Sequence, residues 1–193
     1  MENSVASALR KTADGIDTFT YWLGRTIAFL GFATVIICFA TVYLRYVMGI
    51  GYTWTQELYT WTHVFLIMLG SSYTLLKGGF VRVDIFFARA SERTRAWIDL
   101  FGATCFTVPF LVTMAWCGWP FFLASYKIGE RSQYEDGLGG LYILKASLLA
   151  FAALVGIQVI SGICRNLAFL LGAQNARVNR AALKAQHLPE AAR

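Results

Sequence analysis

Four stretches of this chain contain no Asp, Glu, Lys or Arg: residues 26–44, 58–76, 100–126 and 146–164. Three of them are 19 residues long and the third is 27. A bilayer core about 30 Å thick needs about 20 helical residues to cross it. Inside lipid the backbone must satisfy its own hydrogen bonds, so each run predicts a transmembrane helix, with spans near 26–45, 57–76, 100–126 and 146–165. Pro109 and Pro120 fall in the third run and predict a kink or a frayed end, which fits its extra length. Composition agrees: 15% of the 193 residues are charged, against about 25% in a soluble domain. That excludes a disordered chain, an ordinary cytosolic enzyme and a disulfide scaffold. The net charge of +6 forms no patch and argues against nucleic acid as a partner. It sits in short clusters between the runs, as in a membrane protein.

Those clusters orient the helices. The N-terminal segment (Arg10, Lys11, Arg25), the second connection (Lys77, Arg82, Arg89, Arg93, Arg95) and the tail (Arg165, Arg177, Arg180, Lys184, Arg193) hold 13 of the 17 basic residues. The positive-inside rule then places both termini in the cytoplasm of a multi-pass inner-membrane protein. The first 24 residues lack the short apolar core and cleavage site of a signal peptide. Instead Val5, Leu9, Ile16, Phe19 and Leu23 share one helical face, with Arg10, Lys11, Asp14 and Asp17 opposite. This predicts an amphipathic helix leading into the first span, against the alternative of a solvated helix packed on its own loops. A second amphipathic stretch covers 85–98, with Phe86, Phe87, Trp97 and Ile98 opposed to Arg89, Arg93 and Arg95. It predicts an interfacial helix on the cytoplasmic leaflet, in contact with lipid. The chain thus divides into an N-terminal helix (1–24), an all-α membrane domain of four transmembrane helices (25–170) and a cytoplasmic tail (171–193).

Cofactor chemistry finds little support. Cys38, Cys105, Cys117 and Cys164 form no C-x-x-C pair and read as small apolar residues. Of the two histidines, only His63 lies inside a run, and one intramembrane His cannot ligate both faces of a haem. His63 reads as an interhelical hydrogen-bonding residue or a proton relay. No span centre holds a charged residue, so the chain alone is a poor substrate pathway. The prominent polar residues stand at helix ends. Arg45 closes the first run and Glu57 opens the second, and they either pair or snorkel separately into headgroups. Tyr52, Trp54, Tyr59 and Trp61 lie at the same level as an aromatic belt. At the other end Gly78 and Gly79 permit a sharp turn before Arg82 and Asp84. Asp84 either pairs with Arg82 or caps the interfacial helix.

Arg45-Tyr46, Trp54-Thr55-Gln56-Glu57-Leu58 with Trp61, Gly70, and Lys77-Gly78-Gly79-Phe80-Val81-Arg82-Val83-Asp84 occur in that order. Glu130-Arg131-Ser132, Gly139-Gly140-Leu141 and Lys145 come next. Over about residues 20–170 this set resembles the small membrane subunit, the DctQ type, of tripartite ATP-independent periplasmic (TRAP) transporters. Phe80 departs from the His that many members carry there. The resemblance implies a scaffold subunit, not an enzyme, with no cofactor of its own. It implies pairing with a large elevator-type subunit that binds substrate and sodium, and with a periplasmic binding protein that delivers an organic acid. Arg45, Trp54, Glu57, Trp61, Arg82 and Asp84 become candidate structural or partner-interface residues. A stand-alone tetraspan assembly or anchor protein is the alternative.

Overall fold

A computed structural model describes residues 4–80 and 90–172. Arg82, Asp84, Phe86, Phe87, Arg89 and the tail beyond Gly172 lie outside the described residues. The described residues are helical, with one isolated antiparallel bridge between Arg131 and Gly139 and no strand. The elements are α1 (Ser4–Tyr46), α2 (Thr53–Leu76), α3 (Glu92–Gly102), a π-helical turn (Ala103–Thr107), α4 (Val108–Ile128) and α5 (Leu141–Leu170). Three stretches are long and apolar enough to cross a membrane: Ser4–Tyr46, Glu92–Ile128 and Leu141–Leu170. α2 has the length, at 24 residues, but Thr60, Thr62, His63, Ser71 and Ser72 dilute its apolar character and it is not among them.

α1 joins the expected N-terminal helix and the first uncharged run in one unbroken helix of 43 residues. At 1.5 Å per residue its helical rise is about 65 Å, twice a bilayer core, so about half of it stands outside hydrocarbon. The expected interfacial helix also meets a continuation. Ser91 caps α3, its hydroxyl accepting from the Thr94 N–H at 3.2 Å, and the helix starting at Glu92 runs on to Ile128. Arg93 and Trp97 therefore lie in the first turns of the long third helix, which continues past Ile98. No Gly or Pro interrupts the chain between Glu92 and Phe101 to end a helix at Ile98. The break comes later, as the π-helical turn ahead of Pro109. That proline lacks an N–H and its ring crowds the carbonyl four residues back, so the preceding turn opens. Pro120 sits inside α4. α2 ends in a Schellman motif: the Gly79 N–H donates to Thr74 O at 2.9 Å and the Gly78 N–H to Leu75 O at 3.0 Å. Gly78 adopts φ 69°, which a residue with a Cβ rarely does.

The chain forms two compact units. Of the described residues, the first comprises 4–22, 72–80, 90–111 and 154–172. Its packing is made by small and polar side chains. Ala6, Ala13 and Thr20 repeat every seventh residue along α1 and are buried, as are Ser161 and Ala168 on α5, with Leu9 and Phe169 against the Ala6–Ala168 contact. The Lys77 ammonium stands 5.4 and 5.6 Å from the ring centroids of Tyr21 and Tyr73.

The second unit comprises 23–71 and 112–153. Here the Thr34 hydroxyl donates to Thr62 at 2.9 Å, joining α1 to α2. A Cβ on Gly118 of α4 would lie 3.1 Å from Leu149 of α5, so these helices approach at the glycine. Buried Thr41, Thr55, Ser125 and Ser147 continue the pattern, while Phe29, Phe32, Phe39 and Trp116 are 70% exposed or more. Small and polar inside with large apolar outside inverts the arrangement of a water-soluble domain, and is how helices pack in lipid.

Candidate functional site

Charged groups build two sites, one in each unit. In the second unit the site forms where α2 begins. The first N–H groups of a helix have no intrahelical acceptor and carry the positive end of its dipole. The N–H of Thr53, the first residue of α2, donates to the Asp136 carboxylate at 2.9 Å. One turn on, Glu57 accepts from the Ser132 hydroxyl and from the Leu138 N–H at 2.6 Å. Both sets of partners lie in the segment between α4 and α5, which folds back on itself. Leu141 N–H donates to Glu130 O at 3.0 Å, Ser132 N–H to Leu138 O at 3.1 Å and Gly137 N–H to Tyr134 O at 3.1 Å. Gly137 is required there, because a Cβ would overlap the Ser132 side chain and lie 3.0 Å from Glu57 Oε1. At its base Glu130 pairs with Lys145, whose ammonium also lies 4.2 Å from the Phe121 ring centroid.

Electrostatics favour the ionised clasp. Lys145 beside Glu130 holds that carboxyl below its ordinary range. The Thr53 backbone N–H does the same for Asp136. A cleft of about 280 Å³ opens beside the clasp, lined by Gln56, Glu57, Thr60, Trp61 and Tyr134 among others.

Of the candidates from sequence, Glu57 and Trp61 meet at this cleft. Trp54 is 42% exposed and stacks loosely on Tyr52 at 6.1 Å. Arg45 is exposed, and no ion pair joins it to Glu57 among the described residues. The connecting segment is long enough to bring them together, but backbone N–H and hydroxyl donors of a loop some 80 positions away take the carboxylate instead. The roles of Asp136, Ser132 and Leu138 carry no signature in sequence, since two of these bonds use backbone donors.

The site in the first unit was missed from sequence. Arg165 of α5 donates from Nε to Asp17 Oδ2 at 2.9 Å, from Nη2 to the same oxygen at 2.6 Å, and from Nη2 to Asp14 at 2.7 Å. Gln158 Nε2 and the Ser161 hydroxyl donate to the other Asp17 oxygen at 2.9 and 2.6 Å. Asp17 is 1% exposed. Val5 and Phe19, on the apolar face of the amphipathic helix expected here, are 60% and 54% exposed. The face expected to be polar is the one that packs, because Arg165 on α5 neutralises Asp17 and two further donors complete its hydrogen bonds. A readable signal existed: Arg165 ends the fourth uncharged run, and Gln158 and Arg165 share a helical face one heptad apart.

Both sites tie helices through carboxylates that accept two or more hydrogen bonds, Glu57 in one and Asp17 in the other. Residues 34–169 match the family model described as Tripartite ATP-independent periplasmic transporters, DctQ component. No match to a curated protein or to a solved structure was found.

Proposed function

This chain belongs to the DctQ component family of tripartite ATP-independent periplasmic transporters, and from that premise we propose that it is the fixed scaffold of a sodium-coupled importer of an organic acid. The family's small subunits work with a large membrane component and a periplasmic binding protein. In this reading the large subunit binds sodium and substrate, and the binding protein delivers the acid. The chain crosses the inner membrane four times with both termini in the cytoplasm, α2 providing the second crossing. The Glu57 clasp then lies on the periplasmic side.

One observation carries the proposal: no ionic group falls within the four runs, and three of the charges that bound them, Glu57, Lys145 and Arg165, are used in structural ties. A subunit that moved substrate would need a charged or broken-helix site near the midplane. A scaffold needs helices locked at both ends, as here. The reading is tested by expressing the whole operon with a tag on this chain and purifying in mild detergent. A much larger membrane protein co-purifies in fixed ratio. Recovery of this chain alone under conditions that keep other inner-membrane complexes intact contradicts the proposal.

A further inference from the structure

In the second unit the exposed faces of the helices differ in chemistry. α1 presents Phe29, Phe32, Val35, Ile36 and Phe39, and α4 presents Val112, Trp116, Trp119 and Phe121. These surfaces suit lipid chains. On α2 the residues Gln56, Thr60, His63, Ile67 and Ser71 fall within one narrow helical face by their spacing of three and four. Thr60, His63 and Ile67 are exposed and Gln56 and Ser71 half-buried, and Ile67 is the one large apolar side chain among them.

The hydroxyls satisfy themselves within the helix. Thr60 donates to Gln56 O at 2.9 Å and Ser71 to Ile67 O at 2.6 Å. His63 has no such outlet, since an imidazole does not fold back onto its own helix, and it makes no hydrogen bond among the described residues. It sits ten residues into a helix of 24, about 15 Å from its start. Counted from Glu57, where the second run opens, it lies six residues or about 9 Å in, a third of the way along that run. An imidazole exposed there to hydrocarbon is unfavourable, and intramembrane polar groups turn toward protein.

We propose that the Gln56–Thr60–His63–Ile67–Ser71 face of α2 is the surface on which the large membrane subunit docks, with His63 hydrogen-bonded to a polar side chain or freed carbonyl near the middle of one of that subunit's helices. The partner is an apolar transmembrane helix rather than lipid or a second copy of this chain. Two such stripes facing each other across a two-fold axis would offer His63 chiefly self-satisfied hydroxyls. Small hydroxyl side chains let the two backbones approach, as at other helix contacts in membranes. The polar cleft beside Glu57 shares Gln56 and Thr60 with the stripe, extending the surface toward the start of α2. This inference rests on the reading of the chain as a subunit of a larger transporter.

The test uses the intact complex in native membranes. A photoreactive benzoylphenylalanine is placed singly at Thr60, His63 or Ile67 of α2, at Phe32 or Phe39 of α1, and at Trp116 of α4. Crosslinks to the large subunit from the α2 positions, with the α1 and α4 positions silent, support the proposal. Crosslinks from α1 or α4 with α2 silent overturn it and leave the subunit reading standing. Silence at every position, together with no co-purifying large subunit, overturns both. A crosslink from α2 to a second copy of this chain overturns it as well. As an independent measure, His63→Leu weakens association with the large subunit about 3- to 30-fold, and His63→Asn restores most of it, as expected for one interhelical hydrogen bond in a membrane. Unchanged association in His63→Leu contradicts the assigned bond.

Discussion

Asp17 and Asp14 hold the same guanidinium from different surroundings, and the difference predicts different mutational costs. Asp17 is 1% exposed and Asp14 is 33%. Removing one side of a buried ion pair strands the other, at about 3–5 kcal/mol, so Asp17→Ala lowers stability by that order. Asp14→Ala costs about 0–1 kcal/mol, as for a partly solvated pair. Replacing both Asp17 and Arg165 by apolar residues of similar volume recovers most of the loss, because no charge is then left stranded. Thermal unfolding in detergent across these variants measures all three, and equal losses for the two single variants would contradict the assignment. At Gly137 a methyl group meets Ser132 and Glu57, so Gly137→Ala opens the clasp and destabilises by about 1–3 kcal/mol, as overpacking does. Faster proteolysis between Glu130 and Gly140 reports the opening. The packing of Asp17 was not legible: the pattern separates a charged face from an apolar one, but the partner Arg165 stands 148 positions on, and in lipid small or paired polar side chains face in.

At the scale of elements, the loop between α4 and α5 is held to α2 by carboxylates, which makes the clasp sensitive to acid. Asp136 has its pKa lowered by the Thr53 N–H and Glu130 by Lys145. A depressed folded-state pKa contributes stability that is present above the unfolded value and lost as pH falls through the folded one. The Thr53–Asp136 and Glu130–Lys145 ties are therefore intact at neutral pH and release below the ordinary carboxylate range, about pH 4. Asp136→Asn is accordingly less stable than the parent at pH 7, and the gap closes as the pH is taken below about 4. A gap that persists in strong acid would place its origin outside the Asp136 charge. The uncharged runs were legible as helices because absence of charge over 19 residues has one good explanation in lipid. The start of the third helix was not. A charge at Asp99 marks where an uncharged run begins, but a helix ends only where capping or a breaker ends it. Here that signal was the Ser91 cap, well ahead of the run. The clasp was half legible: Glu57 stood out as a charge opening a run, but backbone donors leave no trace in composition.

For the whole molecule, the proposed role is that of a subunit that stays fixed while another moves. The family assignment supplies the setting, and the two ties supply the means. This account makes the chain necessary for transport and incapable of it alone. The most direct test reconstitutes this chain, the large subunit, and both together into proteoliposomes with an inward sodium gradient, the periplasmic binding protein and labelled organic acids outside. Sodium-driven uptake appears with both subunits, fails with this chain alone, and falls to background when this chain is omitted. Sodium-coupled uptake by this chain in the absence of the large subunit would contradict the account.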